Sequence, residues 1–119
     1  MPSGKQGNAD EKWRDIDRQG GVDGYEHSFS YQNEVKQLII LSSARKHGIT
    51  DIDMIRVVAE PYVVLMIREE PEKLLFLGFD SKARAIEVIT DTGAAGQVFI
   101  IHADKITKKY EKLLREVIE

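Results

Sequence analysis

Apolar and polar positions divide the chain near Tyr25. Before it, glycine and charged residues dominate, and Trp13 and Ile16 are the only larger apolar side chains near one another. Such a stretch buries too little apolar surface to offset the entropy of ordering it. Residues 1–24 are therefore expected to be a flexible tail, or an arm that docks on a partner through Trp13. Within them, Asp10–Gln19 carries the signals of a short helix, with Asp10 as N-cap and Gly20 as stop. Residues 25–119 read as a single domain.

Beyond Tyr25, Val35, Leu38, Ile39, Leu41 and Ala44 fall mostly on a helical period. The spacing predicts a helix ending at His47, with Gly48 as a left-handed C-cap. The run Leu38–Leu41 is equally compatible with a strand. Thr50 followed by Asp53 resembles a capping box, and Asp51–Ala59 reads as a second helix with Ile52, Ile55, Val58 and Ala59 as its buried stripe. Pro61 marks its end.

Four strand-like runs follow: Tyr62–Ile67, Leu74–Phe79, Arg84–Thr90 and Gln97–Ala103. The turns between them contain Pro71, Asp80–Ala83 and the two glycines of Asp91–Gly96. That order predicts an antiparallel meander. Tyr62, Val64 and Met66 read as core, given their apolar neighbours. Strict alternation in the fourth run places Val98, Ile100 and His102 on one face. Asp104–Ile118 is the clearest helix: at ~100° per residue, Ile106, Tyr110, Leu113, Leu114, Val117 and Ile118 span an arc of roughly 140°. Lys105, Lys108, Lys109, Lys112 and Arg115 form a basic stripe beside it. The expected fold class is α+β: short N-terminal helices, a four-stranded antiparallel sheet and a C-terminal helix packed on the sheet.

Composition narrows the function. The 119 residues contain no cysteine, which excludes disulfides, zinc–thiolate sites and cysteine nucleophiles. Lys plus Arg is 17 and Asp plus Glu is 20, a net charge of −3, so nucleic-acid binding needs a local basic patch. The longest apolar runs, Leu38–Leu41 and Val63–Ile67, are far too short to span a bilayer. The N-terminus has no apolar signal core, and the expected location is cytoplasmic.

No phosphate loop, HExxH or G-x-S-x-G is present. His27, His47 and His102 show no metal-ligand spacing, and neither metal nor cofactor is expected. His102, at the end of the fourth run, has the side-chain chemistry of an acid or base near neutral pH. Its other reading is a strand-end histidine bonded to the backbone. Arg45-Lys46-His47 is either a solvated cationic helix end or a phosphate clamp. Arg84 adds a phosphate contact if it faces the same side.

From Arg45 onward the order of segments resembles a known family. Arg45-Lys46-His47-Gly48-Ile49, a short helix, Lys73-Leu74-Leu75-Phe76-Leu77-Gly78 and Arg84-Ala85-Ile86-Glu87-Val88-Ile89 are similar to small BrnT-type toxins. So is Phe99-Ile100-Ile101-His102-Ala103 followed by Lys105, Lys108 and Lys109-Tyr110-Glu111. The resemblance covers roughly residues 42–115. It implies a RelE-like fold and a toxin of a type II toxin–antitoxin pair: an endoribonuclease or translation inhibitor with RNA or the ribosome as target and a protein antitoxin as partner.

RNA cleavage of this kind needs no metal. A 2′-hydroxyl attacks the adjacent phosphorus, so the site needs an acid, a base and cations. For such a reaction, residue type and expected proximity make His102, Lys46, His47 and Arg84 the candidate catalytic residues and Lys105, Lys108 and Tyr110 the candidate substrate-binding residues. His102 is the expected acid or base, and Tyr110 stacks on a base or packs in the core. The alternative is a non-catalytic protein-binding module on the same fold, which the net negative charge and Asp104 favour. A homodimer that covers a sheet edge is compatible with either.

Overall fold

A computed structural model describes the backbone of residues 24–31 and 34–118, with side chains from Gln37 to Ile118. The expectations for residues 1–23, Trp13 and Asp10–Gln19 included, lie outside the described residues, as does the side chain of His27.

Among the described residues, six strands form one sheet: β1 (Gly24–Tyr31), β2 (Glu34–Leu41), β3 (Val63–Arg68), β4 (Lys73–Phe79), β5 (Ala85–Thr92) and β6 (Val98–Lys105). Their spatial order is β1-β2-β6-β5-β4-β3. All neighbours run antiparallel except β2 and β6, which pair in parallel with Leu38 beside Val98 and Ile40 beside Ile100. Helix α1 (Asp51–Ala59) covers one face and α2 (Lys108–Ile118) the other.

The α+β class agrees with expectation, whereas the four-stranded antiparallel sheet is corrected to six strands with one parallel pair. The segment read as a helix ending at His47 is instead β2 followed by a short 3-10 turn, Ser42–Arg45. The physical reason is burial on both sides. Leu38 to Leu41 are all buried. A strand covered on both faces shows a continuous apolar run without the two-residue alternation that marks an exposed one.

Helix α1 starts and stops as its caps require. Thr50 Oγ1 accepts the Asp53 N–H at 3.1 Å. The Asp53 carboxylate does not return that bond: its Oδ1 accepts the Ser81 N–H at 3.0 Å, tying the helix to the β4–β5 turn. The buried stripe is Met54, Val57 and Val58, set against Leu38, Ile40, Phe76 and Val88. Ile55 is partly buried against the same cluster, but Ile52 and Ala59 face solvent, so the expected stripe was turned too far round. Gly78 allows the close approach, since a Cβ there would stand 3.2 Å from a Val57 methyl.

On the other face Leu114 is buried on Leu75 and Leu77, flanked by Tyr110, Leu113 and Ile106. The helix starts four residues later than expected, because β6 continues through Asp104 and Lys105. Lys105 therefore lies on the strand and not on the basic helical stripe.

Two further expectations are corrected. Tyr62, Val64 and Met66 are 55%, 44% and 58% exposed and do not belong to the core. Val63 and Leu65 turn toward α2, Val64 and Met66 alternate to the opposite face of this edge strand, and Tyr62 precedes the strand beside Arg56 and Val57 of α1. His102 does not share a face with Val98 and Ile100. Thr90 pairs with Ile100 and Ile89 with His102, leaving Ile101 as an extra residue. This bulge shifts the alternation, so Ala103 joins Val98 and Ile100 in the core under α1.

Candidate functional site

The bulge in β6 and the 3-10 turn after β2 act together. Strand β2 pairs with β6 only as far as Ile100. Past that point the 3-10 turn packs on β6, where Ser43 Oγ donates to the Ile101 carbonyl at 3.0 Å. Gly48, with φ of +81°, then turns the chain toward α1. The path carries His47 over the end of β6. Its ring meets the His102 ring edge-on, with centroids 5.9 Å apart and planes at 66°.

Each imidazole has a carboxylate. His102 Nε2 donates to Glu87 Oε2 at 2.9 Å across the β5–β6 ladder. His47 Nδ1 lies 3.6 Å from Asp104 Oδ2. Glu87 is buried, and its second oxygen accepts the Thr107 N–H at 2.9 Å, just before α2 begins. One carboxylate thus holds both the ring and the helix start. Both imidazoles remain partly open to solvent.

Beside His47 opens a notch of about 380 Å³, lined by Ile49, Asp80, Arg84, Asp104 and Lys105. Asp80 organises one wall. Its Oδ1 accepts the Lys82 and Arg84 N–H groups at 2.9 and 2.8 Å, and its Oδ2 accepts Arg84 Nε at 2.8 Å. Burial pushes this carboxyl up, but those backbone donors and the Arg84 guanidinium outweigh it and hold it below its ordinary range. The Arg84 side chain is otherwise exposed, and Lys105 is exposed across the notch.

The sequence candidates separate into two groups. His47, Arg84 and Lys105 line the notch, and His102 stands behind His47, outside the lining. Lys46 and Lys108 are exposed and do not line it. Tyr110 is half-buried in the Leu75–Leu77–Leu114 cluster, with Lys109 Nζ 5.5 Å from its ring centre. Arg45 grips Asp51 through two bonds of 2.9 and 3.0 Å, so this member of the cationic cluster secures the start of α1. Among the described residues, no three histidine or carboxylate side chains are grouped to hold a metal ion.

Glu87 is a site residue that the sequence alone did not single out, and Asp104, read there as favouring a non-catalytic module, is the carboxylate beside His47. The signal for Glu87 was present: one carboxylate within Ile86-Glu87-Val88-Ile89, at a position the pairing buries. No family model, curated protein or solved structure matches the chain. No helix among the described residues is long and apolar enough to cross a membrane.

Proposed function

We propose that this chain is a toxin-like, metal-independent endoribonuclease of a type II toxin–antitoxin pair, built on a BrnT- or RelE-like domain. The observation that carries the reading is the His47–His102 pair, each imidazole set against its own carboxylate, with His47 lining a notch that Arg84 and Lys105 also line. Transesterification of RNA needs two proton carriers. One removes the proton from the 2′-hydroxyl as its oxygen bonds to phosphorus. The other protonates the departing 5′-oxygen as the phosphorus–oxygen bond breaks, leaving a 2′,3′-cyclic phosphate. Imidazoles serve both roles near neutral pH. Arg84 and Lys105 would offset the charge that gathers on the phosphorane oxygens.

The test is RNA cleavage by the purified chain in the presence of a chelator, with His47→Ala and His102→Ala variants alongside. Cleavage that yields cyclic-phosphate ends and is lost in both variants supports the reading. Cleavage unchanged by both removes the pair from the chemistry, and no cleavage of ribosomal, messenger or transfer RNA overturns the activity. Growth arrest of a bacterial host on induction, relieved by His102→Ala, is the corresponding test in cells. A second reading, a non-catalytic protein-binding module, is favoured by the apolar residues that β3 exposes.

A further inference from the structure

Strand β3 ends the sheet at one side: its inner edge pairs with β4, and among the described residues no strand pairs with its outer edge. Proteins usually protect such an edge with an outward charge, a proline or a bulge that turns it away. Here Val63 to Ile67 is an uncharged run without proline, and the bulge lies at its far end, beside Ile67. The strand's one charge, Arg68, is directed onto the buried carboxylate of Asp91. The exposed face is apolar, with Tyr62, Val64 and Met66 in a row. At the start of the row Tyr62 meets Phe79 edge-on at 5.1 Å, and a groove of about 490 Å³ lies beside them, rimmed by Arg56 and Glu60.

Charge at the two ends of this row indicates what would cover it. Glu60 stands at one end and Glu69 and Glu70 at the other, all exposed. No ion pair joins any of the three to another described residue. Pairing β3 with a second copy of itself about a two-fold axis would bring Glu60 toward Glu69 and Glu70 of that copy, and facing like charges are unfavourable. A strand with apolar residues at alternate positions and cations at both ends would instead satisfy the edge, the face and the flanks together.

We propose that the outer edge of β3 receives an extended segment of a partner protein, apolar at alternate positions and basic at both ends, which joins the sheet as a seventh strand. Backbone bonds along the edge would supply the affinity. Tyr62, Val64 and Met66 would select the apolar side chains, and the glutamates the basic ends. The inference stands on β3 alone and does not depend on ribonuclease activity.

The test uses the full chain and a fluorescein-labelled ten-residue peptide, with valine and threonine alternating between two lysines at each end. Anisotropy is expected to show saturable binding about tenfold tighter than for the same peptide with glutamates at its ends, the difference shrinking with added salt. Met66→Glu, an exposed position that keeps the fold, adds negative charge. It is nevertheless expected to weaken binding by about tenfold, because it removes one of the three apolar contacts of the row. Amide shifts on binding should centre on residues 62–68. Equal binding of both peptides, tighter binding to the Met66→Glu chain, or shifts centred elsewhere would overturn the proposal. So would a chain that already forms a dimer through β3, as read by light scattering and abolished by Met66→Glu.

Discussion

The Glu87 carboxylate bonds His102 Nε2 at 2.9 Å from inside the sheet, so the tautomer of this half-exposed imidazole is set by a buried residue. A carboxylate only accepts hydrogen bonds, which assigns the hydrogen to Nε2 and leaves Nδ1 as the nitrogen able to take a proton. Nitrogen-15 spectra of the imidazoles at alkaline pH should show His102 as the Nε2–H tautomer. Glu87→Gln should shift it toward a mixture. Glu87→Ala also leaves the Thr107 N–H without its acceptor and should destabilise the chain by about 1–3 kcal/mol, as read by urea unfolding.

Asp80 predicts a loss of stability in acid. Its carboxyl is held below the ordinary value of 3.8 in the folded chain. The unfolded chain therefore takes up that proton at a higher pH than the folded chain does. The stability linked to Asp80 is complete above the unfolded value and declines as pH falls toward the lowered folded one. Urea unfolding of the parent and Asp80→Asn chains should show a gap that is widest at neutral pH. The gap should narrow steadily below about pH 4.

Ala83 sits in the left-handed region with φ of +63°, in the turn that Asp80 organises. A Cβ is unfavourable there, and glycine adopts the conformation freely. Ala83→Gly should stabilise the chain by about 1 kcal/mol, although glycine substitution usually does the opposite. Thermal unfolding checks the sign.

Gly93 is packed against an aromatic ring. A Cβ there would stand 2.5 Å from Phe99 Cε2, and Phe99 is completely buried. Gly93→Ala should cost about 1–3 kcal/mol by forcing the ring to shift. Gly96, with φ of +86° and open space around it, should lose about 1 kcal/mol on changing to alanine, through backbone strain alone. Double substitution should give nearly additive losses if the two causes are independent.

What the sequence made legible was local. The bounds of α1 follow from Thr50 and Pro61, and the strands β3 to β6 from apolar runs separated by turns. What it hid was set by distant pairing. The identity of β2 depends on β6, far along the chain, and its double burial erased the alternation that would have marked it. The same logic applies at the site. Imidazole chemistry pointed to His102 and His47 by residue type. Their meeting, and the role of Glu87 behind them, required the Ile101 bulge and the chain's path over the end of β6, neither of which has a one-residue signature.

The parallel pairing of β2 with β6 has a consequence for how the chain is made. Leu38 finds its neighbour only when Val98 has been synthesised, so the middle of the sheet cannot close on a nascent chain that is still short of β6. Until then the apolar edge of Leu38–Leu41 is exposed, and closing so long a loop makes the step slow as well as late. A chain cut short before β6 would present a sticky hairpin, whereas one released after Lys105 would carry every strand of the sheet.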